Sequence, residues 1–484
     1  MIAWGAITVP ACASATDEQV AALRETLGAA MFVDDGIARD AHLQDMTGKW
    51  PSDAIAVARP SSPEETAALV RHAAAHGLSI VPQGGNTGLV GGCAAGPEAR
   101  AVLVSSRRLN AVRSIDPHVP AVIAEAGCIL ADVQAAVAEQ GFSIPLGLGS
   151  EGSATIGGLI STNAGGVRAL RYGVMRNLVL GLEVVLPNGR IWDGLRTVAK
   201  NNMGYDLKQL FIGAEGSLGI VTAAALRLTP TWRQIETAWL AVESPAAALA
   251  LLQDLRASLG DLVVAFELIQ RRGIEWAAHA VPTLRVPDAG DHSWFVLVEF
   301  ASAATRLPIR DAVEDALGHA FEQELAVGGL LAESEAQRQQ LWRIREALVE
   351  GKRGAKPSLS VDVAVPLGQV PAFLDAANLA VQVLPGCETL AFGHVGDGNI
   401  HFSVHRGKNH PERFAEAAGE LSAAIEAVAL AHGGSICAEH GVGRRMRSAV
   451  AAALSETELD LFRAVKRTID PTNIMNPGAV IAGL

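Results

Sequence analysis

From residue 61 to 77, apolar positions recur at helical spacing behind a Ser-Pro-Glu-Glu start, the pattern of a capped helix. A short strand is read at 78–82, then further strands at 101–105, 121–126 and 182–186, with a helix at 130–140 before the last of them. Beyond Thr229 and Pro230 the pattern changes. Alanine-rich helices at 245–259, 306–318 and 333–349 alternate with strands such as 294–300 and 359–365, and a helix at 411–432 closes the region. The remainder turns glycine-rich and polar again. This is an α+β pattern without the regular alternation of a doubly wound fold. The expected organisation is a nucleotide-binding domain over 1–230, an inserted α+β substrate domain over 231–435, and a return to the first domain over 436–484.

Composition narrows the chemistry. A net charge of −12 disfavours nucleic acid, and it requires any site for an anionic substrate to carry its own cations. Cys12, Cys93, Cys128, Cys387 and Cys437 lie far apart without a Cys-x-x-Cys pair. That argues against a disulfide framework, a zinc ribbon or an iron–sulfur cluster, and fits a reducing, cytoplasmic setting. Residues 1–15 are apolar and end in small residues, but they lack a basic start and contain Pro10, so they are read as something other than a signal peptide. No run approaches the ~20 apolar residues of a membrane span. A peripheral position at a membrane and a homodimer both remain compatible with the sequence.

The 49 glycines are clustered rather than scattered. The run from Pro82 to Gly92, with Gly84, Gly85, Asn86, Thr87 and Gly88 at its centre, follows a strand and can turn backbone N–H groups toward a pyrophosphate. A tight turn is the plainer reading, and the Walker pattern is not met. A second cluster spans Gly147 to Gly158. Gly147, Gly149 and Gly152 formally satisfy G-x-G-x-x-G, but more glycines follow instead of a helix, so the match is discounted. A third cluster spans Gly213 to Ile220. Three clusters suggest one long ligand touched at many points, for which FAD is better suited than a single phosphate.

His394 and His401 bracket Val-Gly-Asp-Gly-Asn-Ile, which contains the hairpin dipeptide Asp397-Gly398. A two-residue turn there would set His394 directly opposite His401, with Cβ atoms ~5 Å apart. Two imidazoles so placed can share a divalent ion, and Glu439 is the candidate third ligand. The alternative is a structural pair bonded to backbone.

Taken in order, Gly-Gly-Asn-Thr-Gly, Ala-Thr-Ile-Gly-Gly with Asn-Ala-Gly-Gly, Gly-Ala-Glu-Gly-Ser-Leu-Gly, Gly-His-Val-Gly-Asp-Gly-Asn-Ile-His, Ala-Glu-His-Gly-Val-Gly and Met-Asn-Pro-Gly-Ala resemble the FAD-linked D-2-hydroxyacid dehydrogenases. That family includes D-lactate and D-2-hydroxyglutarate dehydrogenases and the flavin subunit of glycolate oxidase, within the vanillyl-alcohol oxidase and p-cresol methylhydroxylase superfamily. The resemblance implies a two-subdomain FAD-binding domain of the p-cresol methylhydroxylase type with an inserted cap. It assigns cofactor contacts to Gly84–Gly88, Gly149, Ser150, Gly152, Ser153, Ala154, Thr155, Gly158, Asn163, Gly165, Gly166, Glu215, Gly216, Ile220 and Asn476. Asn86 stands where relatives with tethered flavin often carry histidine, so a non-covalent FAD is expected. The resemblance supports the same metal trio, His394, His401 and Glu439, for which zinc is favoured over manganese or iron(II).

His440 is the candidate general base. Arg345, on a helix that also carries Arg343, resembles the family's substrate arginine and can clamp a carboxylate; only one of the two should point inward. Where enzymes selective for 2-hydroxyglutarate have threonine, lysine and asparagine, this chain has Val349, Ser360 and Ser403. A monocarboxylate D-2-hydroxy acid, lactate-like or with a larger apolar side chain, is therefore the expected substrate, with D-2-hydroxyglutarate as the alternative if Lys352 or Lys356 compensates. Without haem, cluster or NAD motifs, electrons are expected to leave to an external electron-transfer flavoprotein, cytochrome or quinone. The rivals are an alditol or aldonolactone oxidoreductase, which would not need the metal trio, a metal hydrolase, which would leave the glycine clusters idle, and a silent flavoprotein subunit.

Overall fold

The computed structural model describes residues 17–481 except 97–99, 289 and 356, so residues 1–15, Cys12 and Lys356 lie outside the described residues. Cys93, Cys128, Cys387 and Cys437 are free thiols.

The N-terminal half builds two sheets. A parallel three-stranded sheet has the order Ala56–Ala58, Ala101–Ser105, Ser79–Gln83. The helix Pro63–Ala75 leads into its edge strand, and Ser62 caps that helix by accepting from the Glu65 amide at 3.1 Å. An antiparallel five-stranded sheet has the order Val112–Asp116, Ala121–Glu125, Ile220–Arg227, Val179–Val185, Ile191–Gly194.

Residues 234–405 supply a seven-stranded antiparallel sheet in the order Gly328–Leu331, Gln234–Val242, Trp294–Ser302, Val263–Gln270, Glu388–Gly393, Asn399–His405, Ser358–Ala364. Strand alternation divides its side chains between two cores. Ala238, Leu240, Phe266, Leu268, Ile400 and Phe402 join one core with the helices Pro245–Leu259, Ile309–Glu322, Val370–Ala380 and Pro411–Ala431. Trp239, Ala241, Ile269, Leu390 and Phe392 join the other, under the helices Arg271–Ala280 and Glu335–Gly354. The latter pair packs closely because Gly351 has no side chain; a Cβ there would lie 2.6 Å from the Ala277 nitrogen. The helix read at 333–349 in fact runs to Gly354, so Val349, Lys352 and Arg353 share one rigid element with Arg345.

The C-terminal residues return to the first sheet. Ile80 donates to the Ile474 carbonyl at 2.7 Å, and Asn476 donates to the Ile80 carbonyl at 2.7 Å. Lys466, on the helix Glu456–Ile469, is buried and donates to the Ser217 carbonyl (2.7 Å), the Met475 carbonyl (2.8 Å) and Asp470 Oδ2 (2.6 Å). One ammonium thus joins the third glycine cluster to the C-terminal loop. Lys466→Met strands the buried Asp470 carboxylate and both carbonyls, and is expected to cost about 3 kcal/mol, read as a lower denaturation midpoint.

Candidate active site

A cavity of about 450 Å³ lies where the three glycine clusters meet. Its walls include Gly84, Gly85, Asn86, Thr87, Gly88, Gly149, Ser150, Ala154, Thr155, Gly158, Gly165, Glu215, Gly216 and Ile220, and Val349, Arg353, Glu439 and His440 also line it. The first two clusters touch directly: a Cβ on Gly85 would fall 2.1 Å from the Ser153 carbonyl oxygen. At Gly88 and Gly149 the structure itself leaves open space where a Cβ would go, although both line the cavity. Ser106 also lines it, and its buried hydroxyl has no hydrogen-bond partner among the described residues. Glycine where the protein leaves room and a polar group without a partner are the marks of a wall shaped for a ligand. These features fit FAD.

Five of the expected cofactor residues stand behind this wall rather than on it. Ser153 supports Gly85, Gly152 is exposed, and a Cβ on Gly166 would meet the Gly147 carbonyl at 2.1 Å. Asn163 Oδ1 accepts from the Arg176 amide at 2.9 Å. Asn476 Nδ2 donates to the Gly92 carbonyl at 2.8 Å and the Glu215 carbonyl at 2.7 Å. Glu215 lines the cavity but spends its carboxylate internally, accepting from the amides of Val442 (2.7 Å) and Gly443 (2.9 Å). Its burial outweighs those two bonds and lifts its pKa to about 6. Asn86, at φ 57°, donates to the Gln44 carbonyl at 2.7 Å and accepts from Cys93 Sγ at 3.1 Å.

The two-residue hairpin turn expected at Asp397-Gly398 does not form. The strands instead pair Phe392 with His401, and residues 395–397 make a 3-10 turn. A type I′ turn needs positive φ at both central residues, whereas here only Gly398 has it, at 84°. Asp397 turns back to accept from the Asn399 amide at 3.1 Å, and Val365 donates to the Gly398 carbonyl at 3.1 Å, so a wider loop is stitched to the neighbouring strand. His394 sits at the head of that loop and still reaches His401, with ring centroids 5.5 Å apart.

Strand register supplies what the turn does not. Asp362 is the register partner of His401. Leu268 pairs with Gly393, so the chain enters His394 alongside Glu267. Glu267 Oε1 lies 2.5 Å from His394 Nδ1, and Asp362 Oδ1 lies 3.3 Å from His401 Nδ1. With each Nδ1 held by a carboxylate, both Nε2 atoms face Glu439, at 3.6 and 3.8 Å from its two oxygens. One ligand atom from each of His394, His401 and Glu439 lies within 4.8 Å of the others. A carboxylate behind each imidazole fixes tautomer and orientation, as in metal sites. Asp362, Glu439 and His440 form a second such group, but Asp362 Oδ1 also accepts from Asn399 Nδ2 (2.8 Å) and Oδ2 accepts from the Glu439 amide (2.9 Å).

His440 Nδ1 lies 3.2 Å from Asp362 Oδ2. Arg345 is buried while Arg343 is exposed. The Nε of Arg345 donates to Glu267 Oε2 at 2.5 Å, so its two Nη groups keep no partner among the described residues. Burial alone would raise the pKa of Glu267, but His394 and Arg345 hold it down to about 2. Asp362 is held far below the carboxylate range by His401 and His440 despite its burial. Burial opposes charge on both imidazoles of the pair; at His394 the Glu267 carboxylate outweighs it and raises the pKa, while at His401 burial prevails and lowers it. Sequence reasoning missed Glu267 and Asp362. Their signal was a lone acid within an apolar strand, Val-Val-Ala-Phe-Glu-Leu-Ile for the first and Leu-Ser-Val-Asp-Val for the second.

Comparison with known proteins agrees with this layout. Residues 54–194 match the FAD binding domain family and residues 231–480 match the family of FAD linked oxidases, C-terminal domain. The chain is 34% identical over 470 residues to a D-2-hydroxyglutarate dehydrogenase of Xanthomonas citri pv. viticola, covering 96% of this chain and 97% of that one. It is 31% identical over 472 residues to the mitochondrial D-2-hydroxyglutarate dehydrogenase of Arabidopsis thaliana, covering 98% of this chain and 83% of that one. Among solved structures, p-cresol methylhydroxylase superposes with a TM-score of 0.74 at 17% identity, covering 96% of both chains. The α+β fold is thus of the p-cresol methylhydroxylase type, as the motifs implied. The chain belongs to the FAD-linked D-2-hydroxyacid dehydrogenase family and is an FAD-dependent oxidoreductase.

Proposed function

We propose that this protein oxidises a D-2-hydroxy acid to the 2-keto acid with the help of a divalent metal held by His394, His401 and Glu439. The observation that carries this reading is the convergence of those three ligands beside the FAD cavity, each imidazole backed by a carboxylate. FAD would supply the acceptor for the hydrogen and electron pair leaving C2, and the metal, zinc best suited by its ligands, would supply Lewis acidity.

The chain's own groups divide the remaining work. His440, with Nδ1 turned to Asp362, keeps Nε2 for the proton of the substrate hydroxyl. Arg345, with Nε committed to Glu267, offers both Nη groups to the substrate carboxylate. Val349 and Arg353 bring the helix Glu335–Gly354 to the wall of the cavity. The metal trio favours this reading over an alditol or aldonolactone oxidoreductase, and the glycine-walled cavity favours it over a hydrolase. Electrons would leave to an external carrier, whether an electron-transfer flavoprotein, a cytochrome or a quinone.

Turnover with a dye acceptor, followed together with metal content and flavin absorbance, tests the reading. Glu439→Gln should lose the metal and at least ~100-fold in kcat/KM while the protein stays yellow; full turnover in the metal-free variant would sink the proposal. His440→Asn should keep both metal and flavin and lose ~10²–10⁴-fold in kcat. A change in KM alone would instead assign His440 to binding.

A further inference from the structure

The proposed reaction accounts for Arg345 but leaves a second cation on the same helix unexplained. Arg345, Val349 and Lys352 are spaced i, i+4, i+7 and so share one face of the helix Glu335–Gly354. The Arg345 guanidinium carbon and the Lys352 Nζ lie 4.9 and 5.7 Å from the centroid of the Phe392 ring. Phe392 is in turn the register partner of His401, with ring centroids 5.3 Å apart. Two positive groups therefore stand around one aromatic ring at the edge of the histidine cluster.

Lys352 has no evident structural reason to be charged there. Among the described residues no carboxylate is in ion-pair contact with it. Asp362, whose charge reaches it at longer range, already serves His401, His440 and Asn399. Burial and the nearby Arg345 both act to strip its proton. A half-buried ammonium beside a second cation is costly unless something pairs with it, and a contact with one ring offsets only part of that cost. Apolar residues would fill the same space without the penalty.

The neighbouring positions show what is missing. Val349 offers no polar group to the cavity. The Ser403 hydroxyl is engaged with the Leu390 carbonyl (3.4 Å) and His405 Nε2 (3.1 Å). Its register partner, Ser360, carries no charge. The sheet therefore supplies no cation for an anionic end of the substrate, whereas the helix does.

We propose that Lys352 is a specificity-determining residue: its ammonium pairs with a second carboxylate at the far end of the substrate, so the preferred D-2-hydroxy acid is a dicarboxylate. This rests on the hydroxy-acid reading above and reverses the expectation of a monocarboxylate drawn from Val349, Ser360 and Ser403. Arg345 and the histidine cluster hold the reacting end, and Lys352, two helical turns further on, holds the other.

The test compares kcat/KM for D-2-hydroxyglutarate, D-malate and D-lactate in the wild type, Lys352→Met and Lys352→Arg. The wild type should favour one of the dicarboxylates. Lys352→Met should lose ~10–100-fold on that dicarboxylate, chiefly through KM, and far less on D-lactate, so the selectivity ratio collapses. Lys352→Arg should restore most of the ratio. A ratio unchanged in Lys352→Met, or a wild type that favours D-lactate, overturns the role of Lys352 while leaving the hydroxy-acid reading intact. A wild type inert toward all three and toward D-2-hydroxy acids with larger apolar side chains overturns both. Should Lys352→Met fail to fold, binding of glutarate and butyrate to the wild type, read from the flavin spectrum, still decides: tighter glutarate supports the proposal and equal affinity contradicts it.

Discussion

Glu267 is a fully buried carboxylate in the middle of a seven-stranded sheet, and such a charge survives only if both oxygens are paired. Here one oxygen meets His394 and the other Arg345. That constraint ties the candidate metal ligand to the candidate substrate cation through a single group, and it fixes where the helix Glu335–Gly354 must lie. Asp362 plays the matching part for His401 and His440. Since both acids sit on strands, register rather than loop conformation sets the positions of the imidazoles.

The cofactor cavity follows a different logic. Its walls come from segments far apart in sequence, drawn together by buried polar joints. Glu215 accepts from the amides of residues 442 and 443, Asn476 clasps Gly92 and Glu215, and Lys466 holds the third glycine cluster to the C-terminal loop. Asn86, Asn163, Glu215 and Asn476 all take positive φ, a conformation uncommon outside glycine, so the backbone around the cavity is held in shape by tertiary bonds rather than by local preference. From the C-terminal segment, Glu439 and His440 line the cavity.

Much of this was legible in the sequence where a short-range signal existed. The helix at 245–259 and the strand at 101–105 have the bounds that periodicity and punctuation imply. The glycine clusters announced the cavity because glycine is needed where backbone meets ligand. The histidine pair was found by residue type and spacing, although the turn proposed to join it was the wrong one. Local turn chemistry at Asp397-Gly398 yielded to bonds with Val365 and Asn399 that no short-range rule contains. Glu267 was illegible as a partner because its meaning depends on which helix covers which sheet face, and Lys352 could be named beside Lys356 but not placed. Val349, Ser360 and Ser403 could be compared with a family pattern, but Lys352, proposed to take their place, shares the helix of Val349 and lies on a different element from Ser360 and Ser403.

In the proposed reaction, bound flavin and the His394, His401 and Glu439 trio act on one D-2-hydroxy acid. Anaerobic mixing of the purified protein with D- and L-2-hydroxy acids, following the visible flavin absorbance before and after chelation, addresses it most directly. Bleaching by a D-acid only, abolished by the chelator and restored by zinc or manganese, is the expected result. Bleaching that persists in metal-free protein, or a yellow protein that no D-2-hydroxy acid reduces, would contradict it.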